Sequence, residues 1–227
     1  MTADRDTLLE QLLGFAERGH HQGVRNILAQ HPELAKAAVA APTSKHIKGT
    51  TALHLAAHKG ETVVMKILID AGADIEARNA VGETPLIDAA GGSRDAAVEL
   101  LLENGANPDS ATPQGFTPLM AAARRGCILC VYPLLAAKAN LHALNAQDQN
   151  ALHFAAMAAD AQNGELVANA LVKAGIDYRQ RDSFGETPVD VARSSNGPMA
   201  MRLTLVIDED VARRAEESRR TGIAQEF

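Results

Sequence analysis

Residues 49–81, opening GTTALHLAAHKG, and residues 82–114, opening GETPLIDAAGGS, are two segments of 33 residues that match in register. Residues 115–147 open GFTPLMAAARRG, residues 148–184 open DQNALHFAA and run four residues longer, and a further partial copy opens GETPVDVA at Gly185. A period of this length marks a supersecondary unit that cannot bury its apolar side alone and is stabilised by stacking against copies of itself. The chain is therefore constrained to a stack of short units.

Each unit can be read physically. Thr84, Thr117 and Thr187 are each followed by Pro, which puts a hydroxyl at the N-cap and a pre-set φ at the first helical position. The short helix that follows carries paired alanines (Ala56 with Ala57, Ala89 with Ala90, Ala122 with Ala123, Ala155 with Ala156) and stops at Gly60 or its equivalent. Alanine is about one residue in five, aromatics are 3% and tryptophan is absent, so the core must be built by close approach of small faces rather than by rings. A second helix has the apolar spacing Val64, Ile67, Leu68, Ala71, a one-sided stripe. It ends at Gly72, Gly105 or Gly175, where a left-handed cap suits glycine. A polar tip then leads into the next unit.

The T-P-L-H-x-A signature on a 33-residue period resembles the ankyrin-repeat family. That resemblance implies an all-α repeat solenoid of helix-turn-helix pairs joined by β-hairpin-like loops, forming a single domain over residues 1–227. Residues 5–48 would be an N-terminal capping repeat with an insertion, 49–81, 82–114, 115–147 and 148–184 the full repeats, and 185–222 the C-terminal cap, whose second helix is long. It also implies a non-catalytic protein that binds a partner protein through hairpin tips and a concave helical face. In the family, a His at the positions of His54 and His153 is a structural hydrogen-bonding residue.

Several positions depart from the pattern. The link from Leu28 to Gly49 is seven residues longer than that from Leu68 to Gly82; HPELAKAAVAAP predicts a helical extension or a short extra helix, and TSKHIK an enlarged loop. MAADAQNGE, between Met157 and Glu165, predicts a longer mobile turn between the helices of its unit. Pro133 falls in a helix interior, which predicts a bend, and Lys138 replaces the capping glycine.

Chemistry finds few footholds. Cys127-Ile-Leu-Cys130 has the spacing of a redox pair and opens a helix, but Cys130 falls on the core position held by Val64 and Ala97, so the expectation is two buried thiols acting as small hydrophobes. Two cysteines make no disulfide framework. The eight histidines are dispersed without ligand spacing, His20 and His21 are expected to be solvated, and no nucleophile elbow, phosphate loop or zinc-protease motif is present. Neither metal nor cofactor is expected, and the protein is not expected to be an enzyme. The net charge of −6 argues against nucleic acid. With no signal core or spanning stretch, a cytoplasmic monomer away from membranes is expected, the alternative being the mature form of a secreted or periplasmic protein.

What remains is surface. Arg78, Asn79 and Val81 lie at the first tip, Gln114 and Phe116 at the next, Gln147 and Gln149 at the third, Ser183 and Phe184 at the fourth. Phe116 and Phe184 stand out as expected exposed anchors in a chain so poor in rings. His58, Lys59, Arg124 and Arg125, with Asp88 between them, are expected to form a basic strip suited to an acidic partner. Lys45, His46 and Lys48 belong to the enlarged loop, which in an alternative reading plugs an enzyme's active site as a dedicated inhibitor. A redox protein centred on Cys127 and Cys130 is the remaining alternative.

Overall fold

A computed structural model of the chain describes residues 5–38, 46–195 and 197–221. The described residues contain twelve α-helices and one short 3-10 helix, with no strand and a single isolated bridge between Ala38 and Thr51. The fold class is that of an all-α repeat protein. Two compact units divide the chain, Met1–Ala122 with Leu129–Asn140, and Ala123–Ile128 with Leu141–Phe227.

In the first unit, α1 (Arg5–Glu17) and α2 (His21–Gln30) precede a 3-10 helix (Pro32–Lys36), and α3 (Ala52–Lys59), α4 (Thr62–Asp70), α5 (Pro85–Gly91) and α6 (Asp95–Glu103) follow. The first helices α1, α3 and α5 pack in series, the second helices α2, α4 and α6 do the same, and each pair packs internally. The alanine pairs explain the spacing: Ala56, Ala57, Ala89 and Ala90 are fully buried, so the backbones meet without side chains to hold them apart. Large aliphatics fill the layer behind, among them Leu53, Met65, Leu68, Leu86 and Leu101. On α4 the fully buried positions are Val64, Met65 and Leu68, with Ile67 and Ala71 half-buried, so the stripe is centred nearer Met65 than the apolar spacing predicts.

In the second unit, α9 (Ala151–Ala156) packs on α10 (Ala161–Ala174) and α11 (Pro188–Ser195), and both of these pack on the long α12 (Gly197–Thr221). Met199, Leu203 and Val206 seat α12, and Asp210 lies buried against Arg213 and Arg214. Between these sets of helices in sequence come α7 (Pro118–Arg125) and α8 (Ile128–Ala136).

Threonine capping is as the sequence predicts. The hydroxyl oxygens of Thr84, Thr117 and Thr187 accept the amides of Ile87, Met120 and Asp190 at 3.4, 3.2 and 3.3 Å. Thr51 and Asn150 do the same with the help of a histidine, described below. Second helices close on left-handed residues: Gly72 has φ 86°, Gly105 87°, Gly175 97°, and Lys138 keeps the conformation at φ 61°. A β-carbon there approaches the following carbonyl, a local cost of about 1 kcal/mol.

The irregular segments turn out differently from one another. The short extra helix after α2 is the 3-10 turn Pro32–Lys36, started by its proline. Lys45, with the rest of residues 39–45 and hence half of the proposed plug loop, lies outside the described residues. The insertion in 157–164 is shared between a turn of four residues, 157–160, against two between α3 and α4, and α10, which runs 14 residues where α4, α6 and α8 each run nine. The cause is Asp160, whose carboxylate accepts the amides of Gln162 and Asn163 and starts the helix early. Pro133 sits inside a helix that continues to Ala136.

Candidate functional site

The loops between repeats share one construction. In each, the amide of the first residue donates to the carbonyl four residues on: Asn79 to Glu83, Thr112 to Phe116, Asn145 to Gln149 and Asp182 to Glu186, at 2.9 to 3.1 Å. The side chain of that first residue closes the loop from inside. Asn79 Oδ1 accepts the amides of Val81 and Glu83, Asn145 Oδ1 those of Gln147 and Gln149, and Asp182 Oδ1 those of Phe184 and Glu186. Thr112, with one shorter side chain, accepts only from Phe116. The fourth residue is left-handed in every loop, with Asp148 at φ 57° where Gly82, Gly115 and Gly185 stand elsewhere.

That leaves the third residue at the apex, its side chain outside the network. The apex series is Val81, Gln114, Gln147 and Phe184, with Lys48 in the same place before Gly49, and all five are exposed. Phe184 is 78% exposed and Val81 49%. An apolar ring held in water on a hydrogen-bonded loop has no role in the core, so Phe184 stands out as the exposed anchor that the sequence predicts. Successive loops are tied together. Within the first unit the amide of Ala80 donates to Lys48 O at 2.7 Å, and within the second that of Ser183 donates to Gln147 O at 2.9 Å. At the loop between these, the corresponding residue is Pro113, which has no N–H to give.

Phe116 corrects the pairing of the two phenylalanines. It occupies the position of Glu83, Gln149 and Glu186 at the loop's neck, where its backbone bonds to Thr112, and it is half-buried. Its place in the repeat lies two residues after the apex, so the counterpart of Phe184 is Gln114. Asn79 and His46, expected at exposed positions, are each only 8% exposed. The Asn79 amide group also donates to Glu83.

Two more predicted contact residues are engaged internally. Arg78 donates to the carbonyls of Gly82 and Ala111, bridging adjacent loops of the first unit, and Gln149 donates to Asp182 while accepting from Asn145. His58 and Lys59 end α3 and are exposed, with Lys59 paired to Glu17 at 3.6 Å. Arg124 and Arg125 end α7 and are exposed.

The buried polar groups are structural. His54 Nδ1 accepts the Thr51 amide at 3.2 Å and Nε2 donates to the Glu83 carbonyl at 3.1 Å. His153 repeats this with Asn150 and Glu186, both at 3.2 Å. Both rings are neutral donors and acceptors, and desolvation holds their pKa below the ordinary 6.5. Desolvation, with the charge of Glu83 nearby, pushes the Asp88 carboxyl up to about 8. His20, expected to be solvated, instead caps α2 by accepting the Gly23 amide at 3.1 Å and lies against Phe15. No signal short of its N-cap position distinguished it from His21.

Among the described residues no three His, Cys, Asp or Glu side chains cluster as a metal would need, and no helix is long and apolar enough to cross a membrane. One expectation about the cysteines is overturned: neither Cys127 nor Cys130 is a free thiol.

Comparison with known families finds that residues 12–112 and 92–182 match the family model for ankyrin repeats in three copies. No curated protein matches the chain.

Proposed function

The chain belongs to the ankyrin-repeat family, whose repeats are generally protein–protein interaction modules and typically non-catalytic, and we propose that it captures a partner protein through the apex residues of its loops. The observation that carries this reading is Phe184, exposed over 78% of its surface on a loop whose backbone is pinned by Asp182. Docking such a group costs little ordering entropy and removes a ring from water, which is the profile of an interface anchor. Lys48, Val81, Gln114 and Gln147 differ in chemistry while the network beneath them recurs, so recognition lies in the apex and shape in the neck.

The basic ends of α3 (His58, Lys59) and of α7 (Arg124, Arg125) add positive charge to an otherwise acidic chain, and an acidic surface on the partner would be steered by them. A standard complex of this kind buries roughly 800 Å² on each side.

The test is retention of binding proteins from an extract of the source cell on immobilised chain. Replacing Lys48, Val81, Gln114, Gln147 and Phe184 together by Ala should abolish capture while leaving the circular dichroism and unfolding midpoint intact. Capture that persists in this variant places recognition elsewhere on the surface.

A further inference from the structure

Two different faces of α12 carry heptad-like spacing. Met199, Leu203, Val206 and Asp210, at intervals of four, three and four, are buried, and they seat the helix on α10 and α11. On the opposite side Met201, Thr204, Asp208 and Val211, at intervals of three, four and three, are exposed, with Leu205 beside them. Met201 is 81% exposed, Leu205 55% and Val211 45%, and the Thr204 hydroxyl is already satisfied by the Ala200 carbonyl at 2.9 Å. A helix seated on one side is ordinarily polar on the other. Here the outer side repeats an apolar seam at the spacing by which two helices pack lengthwise.

Beside the seam lies a groove of about 510 Å³ lined by Arg193, Ala200, Met201, Thr204, Leu205 and Asp208. Its two charges are of opposite sign and far apart along the helix. Arg193 belongs to the last turn of α11, four residues before α12 begins, whereas Asp208 stands eleven residues into α12, about 16 Å along its axis. One guanidinium nitrogen of Arg193 holds Asp190 at 3.1 Å, which leaves further donors of the fork for a second carboxylate. Asp208 is exposed and makes no ion pair among the described residues.

We propose that this face binds a second copy of the chain, the two α12 helices packing antiparallel about a twofold axis that passes between Thr204 and Leu205. The axis decides which residues meet. Thr204 of each copy faces Leu205 of the other, Pro198 faces Val211, and Met201 lies level with Asp208. The Asp208 carboxylate of one copy is thereby brought to the start of the other's α12, where Arg193 stands. Two such ion pairs, one at each end of the seam, fix its register while the apolar side chains between them leave water. A parallel pair would instead set Asp208 against its twin, a like-charge contact that disfavours it. Antiparallel helices also bring opposite ends of their dipoles together. This pairing is independent of partner capture by the loop apexes.

The experiment is sedimentation equilibrium of the full chain alone. A two-helix seam falls short of the roughly 800 Å² per side of a standard interface, so a dissociation constant of about 10–100 µM is expected, with the mass approaching twice that of the chain at about 1 mM. Met201→Gln combined with Leu205→Gln should weaken association about tenfold or more, with the circular dichroism and urea midpoint of the parent. Arg193→Glu or Asp208→Arg alone should weaken it about three- to tenfold, and the two together in one chain should restore it, because each carboxylate again meets a guanidinium. Apolar association without a fixed register would not respond in this way. A chain that stays monomeric at about 1 mM overturns the proposal and leaves the seam to a different protein. Association indifferent to the glutamine pair, or a charge exchange that fails to restore it, overturns it equally. Should the glutamine variant fail to fold, the charge exchange decides the matter by itself.

Discussion

Asp182 accepts the backbone amide of Phe184 at 2.9 Å with the same oxygen that takes the amide of Glu186 at 3.0 Å. A single carboxylate therefore sets the loop that carries the most exposed aromatic ring at any apex, and the two residues divide the work of shape and contact between them. Phe184→Ala should leave the urea midpoint within about 0.5 kcal/mol of the parent, as for surface changes generally, while lowering partner retention. Asp182→Ala orphans two amides and should cost about 1–3 kcal/mol of stability as well as retention. Parallel unfolding and capture assays separate the two effects; a Phe184→Ala variant as unstable as Asp182→Ala would mean that the ring is part of the fold.

Lys138 holds φ 61° where Gly72 and Gly105 stand at 86° and 87°. Lys138→Gly should stabilise the chain by roughly 1 kcal/mol, the cost of a β-carbon in the left-handed region. Asp148→Gly should gain less, because a short polar side chain tolerates that region better than lysine does. Urea denaturation of both variants provides the comparison.

The Asp88 carboxyl, raised from 3.8 to about 8 by burial and then by the charge of Glu83, binds its proton more tightly folded than unfolded. Its contribution to stability is present in full below 3.8 and is lost as pH rises to about 8. Asp88→Asn should match the wild type near pH 4 and grow progressively more stable than it up to about pH 8. A constant difference across that range, followed by chemical denaturation at each pH, would contradict the assignment.

His54 and His153 have the opposite sign. Burial lowers both pKa values below 6.5, so the unfolded chain takes up protons first. Stability should be level above about pH 6.5 and fall as pH drops below it towards the folded-state values. NMR of the rings should show both titrating below 6.5 in the folded protein, with Nε2 carrying the proton donated to Glu83 and Glu186.

The repeat period, the threonine caps and the glycine-terminated second helices were all legible because each rests on local rules: a hydroxyl one turn before an amide, a φ that only some residues accept. Position within a loop was less so. Phe116 and Phe184 both precede or follow a glycine near a polar tip, and only the hydrogen-bond register, set by Thr112 and Asp182, shows that one lies at the neck and the other at the apex. The insertion near Asp160 reads as small and polar, and with Asn163 and Gly164 of low helix propensity the aspartate itself, a strong N-cap residue, was the available sign that it would cap a longer helix. For the cysteines, the core register of Cys130 predicted its burial correctly; burial simply did not decide whether its sulfur was bonded.

The separation of neck from apex has an evolutionary corollary. Substitutions at Lys48, Val81, Gln114, Gln147 or Phe184 meet no hydrogen-bond partner that must change with them, so recognition can drift one repeat at a time. Changes at Asn79, Asn145 or Asp182 require compensation and should be purged. Variation among natural descendants of this chain is expected to fall at every thirty-third position or so, leaving the residues two places earlier unchanged.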